Sequence, residues 1–244
     1  MSSLNVLITA RLGSSRLPAK HLQLMRGDTP AIACLIERLR TQPVPLVLCV
    51  PTGDEDAPLR DLAAAQSIGC FAGDADNVLI RYSQALAHGG APAAIIVDAD
   101  DAFVSVEAIA GIAAAYDGHD VITCAGLPYG GAPYLLSKRF IDAMLAAQTA
   151  SSGWSRFLTT LPGKKLALED WAVTPAEQAY RLSLDYDEDL EFMRHLYARV
   201  PARPVVRLAD VVAYITAHAA ELKSQFPALF DGSLAERAQQ HMVG

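Results

Sequence analysis

Short apolar runs alternate with segments of helical periodicity through the first half of the chain. Asn5 to Ala10, centred on Val6-Leu-Ile, predicts a strand, and Pro30 to Arg40 predicts a helix with Ile32, Leu35, Ile36 and Leu39 on one face. Pro45 to Val50 predicts a second buried strand, Ala57 to Ser67 a helix and Gly69 to Phe71 a short strand. Asp76 to His88 has helical spacing, with Leu79, Ile80 and Leu86 inward. A strand at Ala93 to Val97, a helix at Ser105 to Tyr116 and a strand at Asp120 to Cys124 complete the succession. Such βαβα alternation predicts an α/β protein with a mostly parallel sheet, helices on both faces and right-handed crossovers.

The second half is less regular. A Gly/Pro-rich loop, Leu127 to Pro133, leads to a short apolar segment at Tyr134 and a helix from Arg139 to Thr149. A helical turn is expected over Trp154 to Leu161, an edge strand over Lys164 to Glu169 and a final strand over Arg181 to Asp185. Helices follow at Asp187 to Ala198 and Leu208 to His218. No repeat or linker divides the chain, so residues 1–226 are expected to form one domain and residues 227–244 a polar tail.

With 244 residues, 52% of them hydrophobic and 19% charged, the chain can bury a large core. Its net charge of −7 argues against general nucleic-acid binding, which needs a basic surplus, but leaves room for one small anion held by a local cluster of cations. Cys34, Cys49, Cys70 and Cys124 are scattered without a CxxC pair, so a structural zinc site is not expected, and cysteines on strands are expected to be buried. No apolar run is long enough to span a bilayer and no basic-then-apolar leader is present; a cytoplasmic protein is expected.

In parallel α/β sheets the ligand sits beyond the carboxyl ends of the strands. Three polar features fall there: the loop after the first strand, with Arg11, Arg16 and Lys20; Thr52 to Asp56 after the second; and Asp98 to Asp101 after a later one. Three cations on a loop loosened by Gly13, Ser14 and Ser15 suit a polyphosphate, although a solvated turn has the same composition. Neither the P-loop order nor the dinucleotide glycine fingerprint is present. Asp98 and Asp100 stand two apart and would share a face, a pairing that a hard cation relieves; equally, Asp101 or a neighbour would cap the helix near Ser105 without any metal. Asp185 repeats the situation, with Asp187 a natural cap for the helix that follows. His21 follows the basic loop and reads as a partly buried spacer; no histidine has a catalytic context and no serine a nucleophile elbow.

The segment Thr9-Ala-Arg-Leu-Gly-Ser-Ser-Arg-Leu-Pro-Ala-Lys20 resembles the N-terminal signature of the cytidylyltransferases that make CMP-activated sugar acids. These include the acylneuraminate and 3-deoxy-manno-octulosonate enzymes, and the group named for spore-coat polysaccharide biosynthesis is the nearest in pattern. The likeness continues through Ile36 to Leu39, Gly73 to Tyr82, Asp98 to Asp101 and Leu184 to Glu191. It implies a three-layer, Rossmann-like nucleotide-diphospho-sugar transferase fold and transfer of CMP from CTP to a sugar acid with release of pyrophosphate, for surface polysaccharide or glycoconjugate synthesis. Carried over, it implies Arg11, Lys20 and Asp100 as catalytic residues. Ala10, Arg11, Gly13, Ser14, Ser15, Arg16, Lys20, Thr52 and Arg81 would bind the nucleotide, and Asp100 and Asp185 would bind Mg2+. A homodimer is also implied, with the irregular middle reaching the second subunit. The chain departs from the pattern at Ile96, where many relatives carry Arg, at Ala102, where they carry Pro, and at Asp98. Another nucleoside triphosphate, a glycosyltransferase using Asp98-Ala-Asp100, and a non-catalytic nucleotide-binding protein are the competing readings.

Overall fold

Strand β1 (Asn5–Thr9) is the middle of the molecule: β4 (Leu46–Pro51) and β6 (Ala93–Asp98) both pair with it in parallel. The structure, a computed structural model, describes residues 4–147, 163–167 and 180–234. Beside the small antiparallel pair β2 (Leu24–Arg26) and β3 (Thr29–Pro30), the described strands form one sheet of seven. With β5 (Gly69–Gly73), β7 (Val121–Ala125), β8 (Tyr134–Ser137) and β9 (Lys164–Ala167), its order is β5-β4-β1-β6-β8-β7-β9. Only β8 runs against the rest, pairing antiparallel with β6 and β7, while β7 and β9 are parallel.

Successive residues of a strand face opposite sides, and both sides here are apolar, as a sheet covered by helices requires. Val6 and Ile8 join Leu48, Val50, Ile95 and Val97 beneath α1 (Ala31–Leu39), α2 (Ala57–Ala65) and α4 (Val106–Ala115). Leu7, Cys49, Ile96 and Leu136 face α3 (Val78–Gly89) and α5 (Lys138–Ala146). Local chemistry sets the helix starts. The Asn77 side chain accepts from the N–H groups of Leu79 and Ile80, Ser105 from Ala108, and Ser137 from Phe140. A left-handed Gly90 (φ 61°) closes α3.

A third apolar cluster holds α6 (Asp187–Arg199), α7 (Leu208–Ala217) and α8 (Ala219–Gln225) against Leu17, Met25, Phe103, Leu182 and Leu184. It packs beside the segments that leave β1 and β6, so the C-terminal helices are fastened to the same end of the sheet as the polar loops. The expected tail begins inside this cluster: Leu229 and Leu234 are buried, because the aromatic ring of Phe230 and its neighbours pack on Phe192 and Tyr180.

Several expectations are corrected. Arg181 to Asp185 is not a strand; only Arg181 makes a bridge, to Tyr129, because its neighbours' N–H groups find loop carbonyls rather than a strand edge. Asp101 does not cap α4, since Ser105 does so itself. Asp189, not Asp187, satisfies the start of α6, accepting from the N–H groups of Asp185 and Tyr186 at 2.9 Å each. Cys70 lies on β5 yet is exposed, because β5 is an edge strand; the other cysteines are buried or half-buried, and all four are free thiols. The helical turn expected over Trp154 to Leu161 and most of the irregular middle lie outside the described residues. No described helix is long and apolar enough to cross a membrane.

Candidate active site

The basic loop is pinned where it leaves β1. The Ala10 N–H donates to the Cys49 carbonyl at 3.3 Å, and the Leu12 N–H donates to Asp56 Oδ1 at 2.7 Å. Asp56, buried in the 3-10 turn after β4, thereby ties the loop after β1 to the loop after β4. Arg11, between these anchors, and Gly13 and Ser15, just beyond them, are exposed, and a Cβ built on Gly13 would meet nothing within 4 Å, so its backbone is open to an approaching ligand. Ser14 supports the turn itself, with its N–H on the Leu12 carbonyl at 2.7 Å and its Oγ near the Leu17 N–H at 3.5 Å. Ala19 then adopts a left-handed conformation (φ 49°), an uncommon one for a residue with a Cβ. The 3-10 turn Lys20–Leu22 follows and carries the Lys20 side chain into the interior.

The acidic partners come from two distant segments. Asp98 lies opposite Thr9 in the β1–β6 register, and the Ala99 N–H donates to the Thr9 carbonyl at 2.9 Å, so Asp100 turns out just past the sheet edge. The Asp100 carbonyl accepts the Leu184 N–H at 2.9 Å, and the Tyr129 carbonyl accepts the Leu182 N–H at 2.8 Å. Those two bonds, with the Asp189 cap, deliver Asp185 to the same place.

Lys20 Nζ lies 2.5 Å from Asp100 Oδ2 and 3.0 Å from Asp185 Oδ1. Arg16 Nη2 donates to the same Asp185 Oδ1 at 2.6 Å. Arg181 donates to the other oxygen, Asp185 Oδ2. Its Nε lies 3.2 Å from Asp189 Oδ1, close enough for an ion pair but not aligned as a hydrogen bond. The Arg16 guanidinium sits 5.4 Å from the Tyr186 ring centroid, and that of Arg181 5.5 Å from the ring of Tyr129, which is 63% exposed. Three cations therefore face three carboxylates, Asp100, Asp185 and Asp189.

Burial works against the Lys20 charge, but Asp100 and Asp185 outweigh it and hold the ammonium above its ordinary range. Burial likewise opposes ionisation of Asp100, and Lys20 and His21 reverse this and keep its pKa low. Asp98 is pushed up to about 7 by burial and by the Asp100 charge, and Asp101 well above the usual carboxylate range for the same reasons. His21 is buried, its pKa brought down to about 4 by burial and by the neighbouring Lys20; its Nδ1 has no hydrogen-bond partner among the described residues.

Of the residues singled out in the sequence, Arg16, Lys20, Asp100 and Asp185 are brought into one bonded network. Ala10, Arg11, Gly13, Ser14 and Ser15 border it on the same loop. Thr52 is exposed beyond β4, with its N–H on the Gly73 carbonyl at 3.0 Å. Arg81 is buried on α3 and donates to the Asp74 carbonyl at 2.6 Å, bracing the loop after β5. Ile96 is a core residue facing α3 and α5. Sequence reasoning missed Asp56, Arg181 and Asp189. Asp56 looked like one acid in a polar turn. Arg181 and Asp189 stand four residues either side of Asp185, a spacing that gains meaning only once the chain between them is seen to fold back.

The donor set fits a divalent cation. Two carboxylate oxygens from distant segments already meet at one positive centre, the Lys20 nitrogen, so they converge as metal ligands do. Among the described residues no group of three or more His, Cys, Asp or Glu side chains is placed to hold a metal. A site of two protein carboxylates completed by phosphate oxygens and water is the arrangement Mg2+ commonly takes, and these residues fit it.

Residues 5–126 match the family model described as Cytidylyltransferase. Over 228 residues the chain is 24% identical to the spore coat polysaccharide biosynthesis protein SpsF of Bacillus subtilis (strain 168), covering 88% of this chain and 95% of that protein. Among solved structures, a cytidylyltransferase from Leptospira borgpetersenii serovar Hardjo-bovis (strain JB197) superposes with a TM-score of 0.79 at 16% identity, over 90% of this chain and 96% of that one. A CMP:2-keto-3-deoxy-manno-octonic acid synthetase complexed with CTP superposes with a TM-score of 0.58 at 14% identity, over 81% of this chain and 99% of the other.

Proposed function

The chain belongs to the cytidylyltransferase family, and on that premise we propose that it transfers CMP from CTP to a sugar acid or related small acceptor, releasing pyrophosphate, in the synthesis of a surface polysaccharide or glycoconjugate. One observation carries the reading beyond the family: the open, cationic loop after β1 meets two carboxylates at a single nitrogen, that of Lys20. A triphosphate needs the first and its metal the second. The B. subtilis relative's name refers to spore coat polysaccharide biosynthesis and supports the polysaccharide role; the synthetase above, named for 2-keto-3-deoxy-manno-octonic acid and complexed with CTP, supports an acidic sugar as acceptor.

In this reading the N–H groups of Gly13 and Ser15 and the hydroxyls of Ser14 and Ser15, with Arg11, Arg16 and Lys20, bind the triphosphate. Ala10, Thr52 and Arg81 border the cytidine. An acceptor hydroxyl attacks the α-phosphorus, the bond to the β-phosphate bridge breaks, and the charge arriving on pyrophosphate is met by Lys20 and the arginines. Asp100 and Asp185 would hold Mg2+, which when bound neutralises phosphate charge and polarises the phosphoryl oxygens. Fixing donor and acceptor in line supplies further acceleration.

The test is pyrophosphate release from each of the four nucleoside triphosphates, with and without Mg2+, across a panel of sugar acids. Release confined to CTP, and requiring both Mg2+ and a sugar acid, is the expected result. Release with another triphosphate in preference to CTP would overturn the nucleotide assignment, and release with neutral sugars alone the acceptor class.

A further inference from the structure

We infer that Lys20 is the resting occupant of the divalent-metal position: without nucleotide its ammonium fills the place between Asp100 and Asp185, and a metal can enter only by driving it out. The inference rests on the metal reading of these two carboxylates given above.

Geometry makes the two cations mutually exclusive. Nζ bonds Asp100 Oδ2 and Asp185 Oδ1 at 2.5 and 3.0 Å. A Mg2+ held by the same two oxygens would need the place where they converge, which the ammonium nitrogen fills. The Asp185 oxygen cannot turn away cheaply to serve both, since Arg181 grips its other oxygen and Arg16 also bonds Oδ1. Asp100 has its backbone tied to Leu184 through its carbonyl, which keeps its carboxylate beside that of Asp185. The lysine is the mobile member, a compact charge on a four-carbon stem.

Charge counting sets the order of events. The network of Arg16, Lys20, Arg181, Asp100, Asp185 and Asp189 carries three positive and three negative charges. A bare divalent ion entering this balanced group adds two uncompensated charges and meets a cation in its place. A divalent ion arriving with a triphosphate brings its own anion, to which the released Lys20 ammonium can move. The free protein is thus a poor metal binder by construction, and the ion is admitted together with the nucleotide whose phosphates Lys20 then holds.

Mn2+ titration of the full-length, nucleotide-free protein, following free Mn2+ by electron paramagnetic resonance, tests this on wild type, Lys20→Met, and Lys20→Met combined with Asp185→Asn. Removing the lysine is expected to tighten Mn2+ binding by about tenfold or more, since one repulsive charge–charge contact at an effective dielectric of about 20 exceeds that scale. The double variant is expected to lose that gain. Binding by Lys20→Met equal to or weaker than wild type overturns the inference; if such binding still disappears on Asp185→Asn, the metal reading stands without it. No Mn2+ binding by wild type or Lys20→Met, with or without CTP, overturns both. A second measurement needs no variant: the 15N signal of the Lys20 ammonium in wild type is expected to shift when Mg2+ and CTP saturate the free protein, as the ammonium exchanges carboxylate partners for phosphate ones. An unchanged signal with Mg2+ demonstrably bound contradicts the displacement.

Discussion

The Asp185 carboxylate meets the Lys20 ammonium at 3.0 Å across 165 positions of sequence. Nothing in the central sheet itself brings them together. Asp185 arrives on a segment without regular structure, held by the Asp100 and Tyr129 carbonyls and closed by the Asp189 cap. The site is therefore as sound as that segment, and substitutions that loosen it should affect chemistry and stability together.

Asp189→Ala removes the acceptor for two N–H groups at the start of α6 and one carboxylate partner of Arg181. The loss expected for the cap alone is about 1–2 kcal/mol. Urea denaturation should show at least this much, and pyrophosphate release should fall as Asp185 loses its support. Asp187→Ala, in the exposed first turn of the same helix, should change stability by no more than about 0.5 kcal/mol. Equal effects from the two variants would contradict the assignment of the cap.

Arg38 is 1% exposed and donates to three backbone carbonyls: Val206 at 2.6 Å, Ala102 at 2.8 Å and Val104 at 3.0 Å. It stitches the chain just after the Asp98 to Asp101 turn to the approach of α7. Arg38→Met leaves the Val206 and Val104 carbonyls without a donor and Ala102 with the Tyr197 hydroxyl at 3.4 Å, at roughly 1–3 kcal/mol for each stranded acceptor, so a loss of about 2 kcal/mol or more is expected in urea unfolding. Arg38→Lys should recover only part of it, because an ammonium lacks the planar fork. Full recovery by lysine would mean that charge alone matters there.

Protonation of His21 should be visible in the acid limb of stability. Its folded pKa of about 4 lies below the ordinary 6.5, so the unfolded chain takes the proton first. Stability should fall as pH drops from about 6.5 to about 4 and level off below, by up to roughly 3 kcal/mol. Asp189 works in the opposite sense: burial raises its pKa to about 6 against the pull of Arg181 and two N–H groups, so its share grows as pH falls towards 3.8. The difference between wild type and His21→Gln, taken at each pH, separates the two. A difference that does not vary between pH 4 and 6.5 would contradict a buried, neutral His21.

Two glycines should behave in opposite ways. Gly130 has φ +82°, and a Cβ there would lie 2.5 Å from the Leu182 backbone. Gly130→Ala should cost about 2 kcal/mol or more, and by displacing the Tyr129–Leu182 contact should also reduce turnover. Gly13→Ala meets open space at an ordinary φ and should leave the melting temperature within a few degrees. Any loss of turnover in that variant then reports on phosphate approach rather than on folding.

The alternation of apolar runs and helical stripes made the sheet, its parallel sense and the α1 to α5 positions legible, because strands buried on both faces and helices buried on one leave distinct periods. Arg16, Lys20 and Asp100 were legible for a similar reason: they lie on loops leaving apolar strands, where a parallel sheet presents its ligand. What escaped depends on contacts without a period. Arg181 to Asp185 has the alternation of a strand, yet every residue in it is buried and its partners are loop carbonyls. Asp187 and Asp189 are equally plausible caps in sequence, and only the turn at Tyr186 decides between them. Asp100 and Asp185 were paired by the family resemblance alone; no period in the sequence links them, because they meet only through the fold, at Lys20.

The most direct test of the central claim is pyrophosphate release from CTP by wild type and by Lys20→Ala, Asp100→Ala and Asp185→Ala, measured with the acceptor that wild type uses best. Each variant is expected to lose about a hundredfold or more in rate, the scale seen when a group that meets developing charge is removed, while circular dichroism shows the fold retained. Release from CTP that survives all three substitutions within a factor of about ten would contradict the placement of the chemistry at Lys20, Asp100 and Asp185.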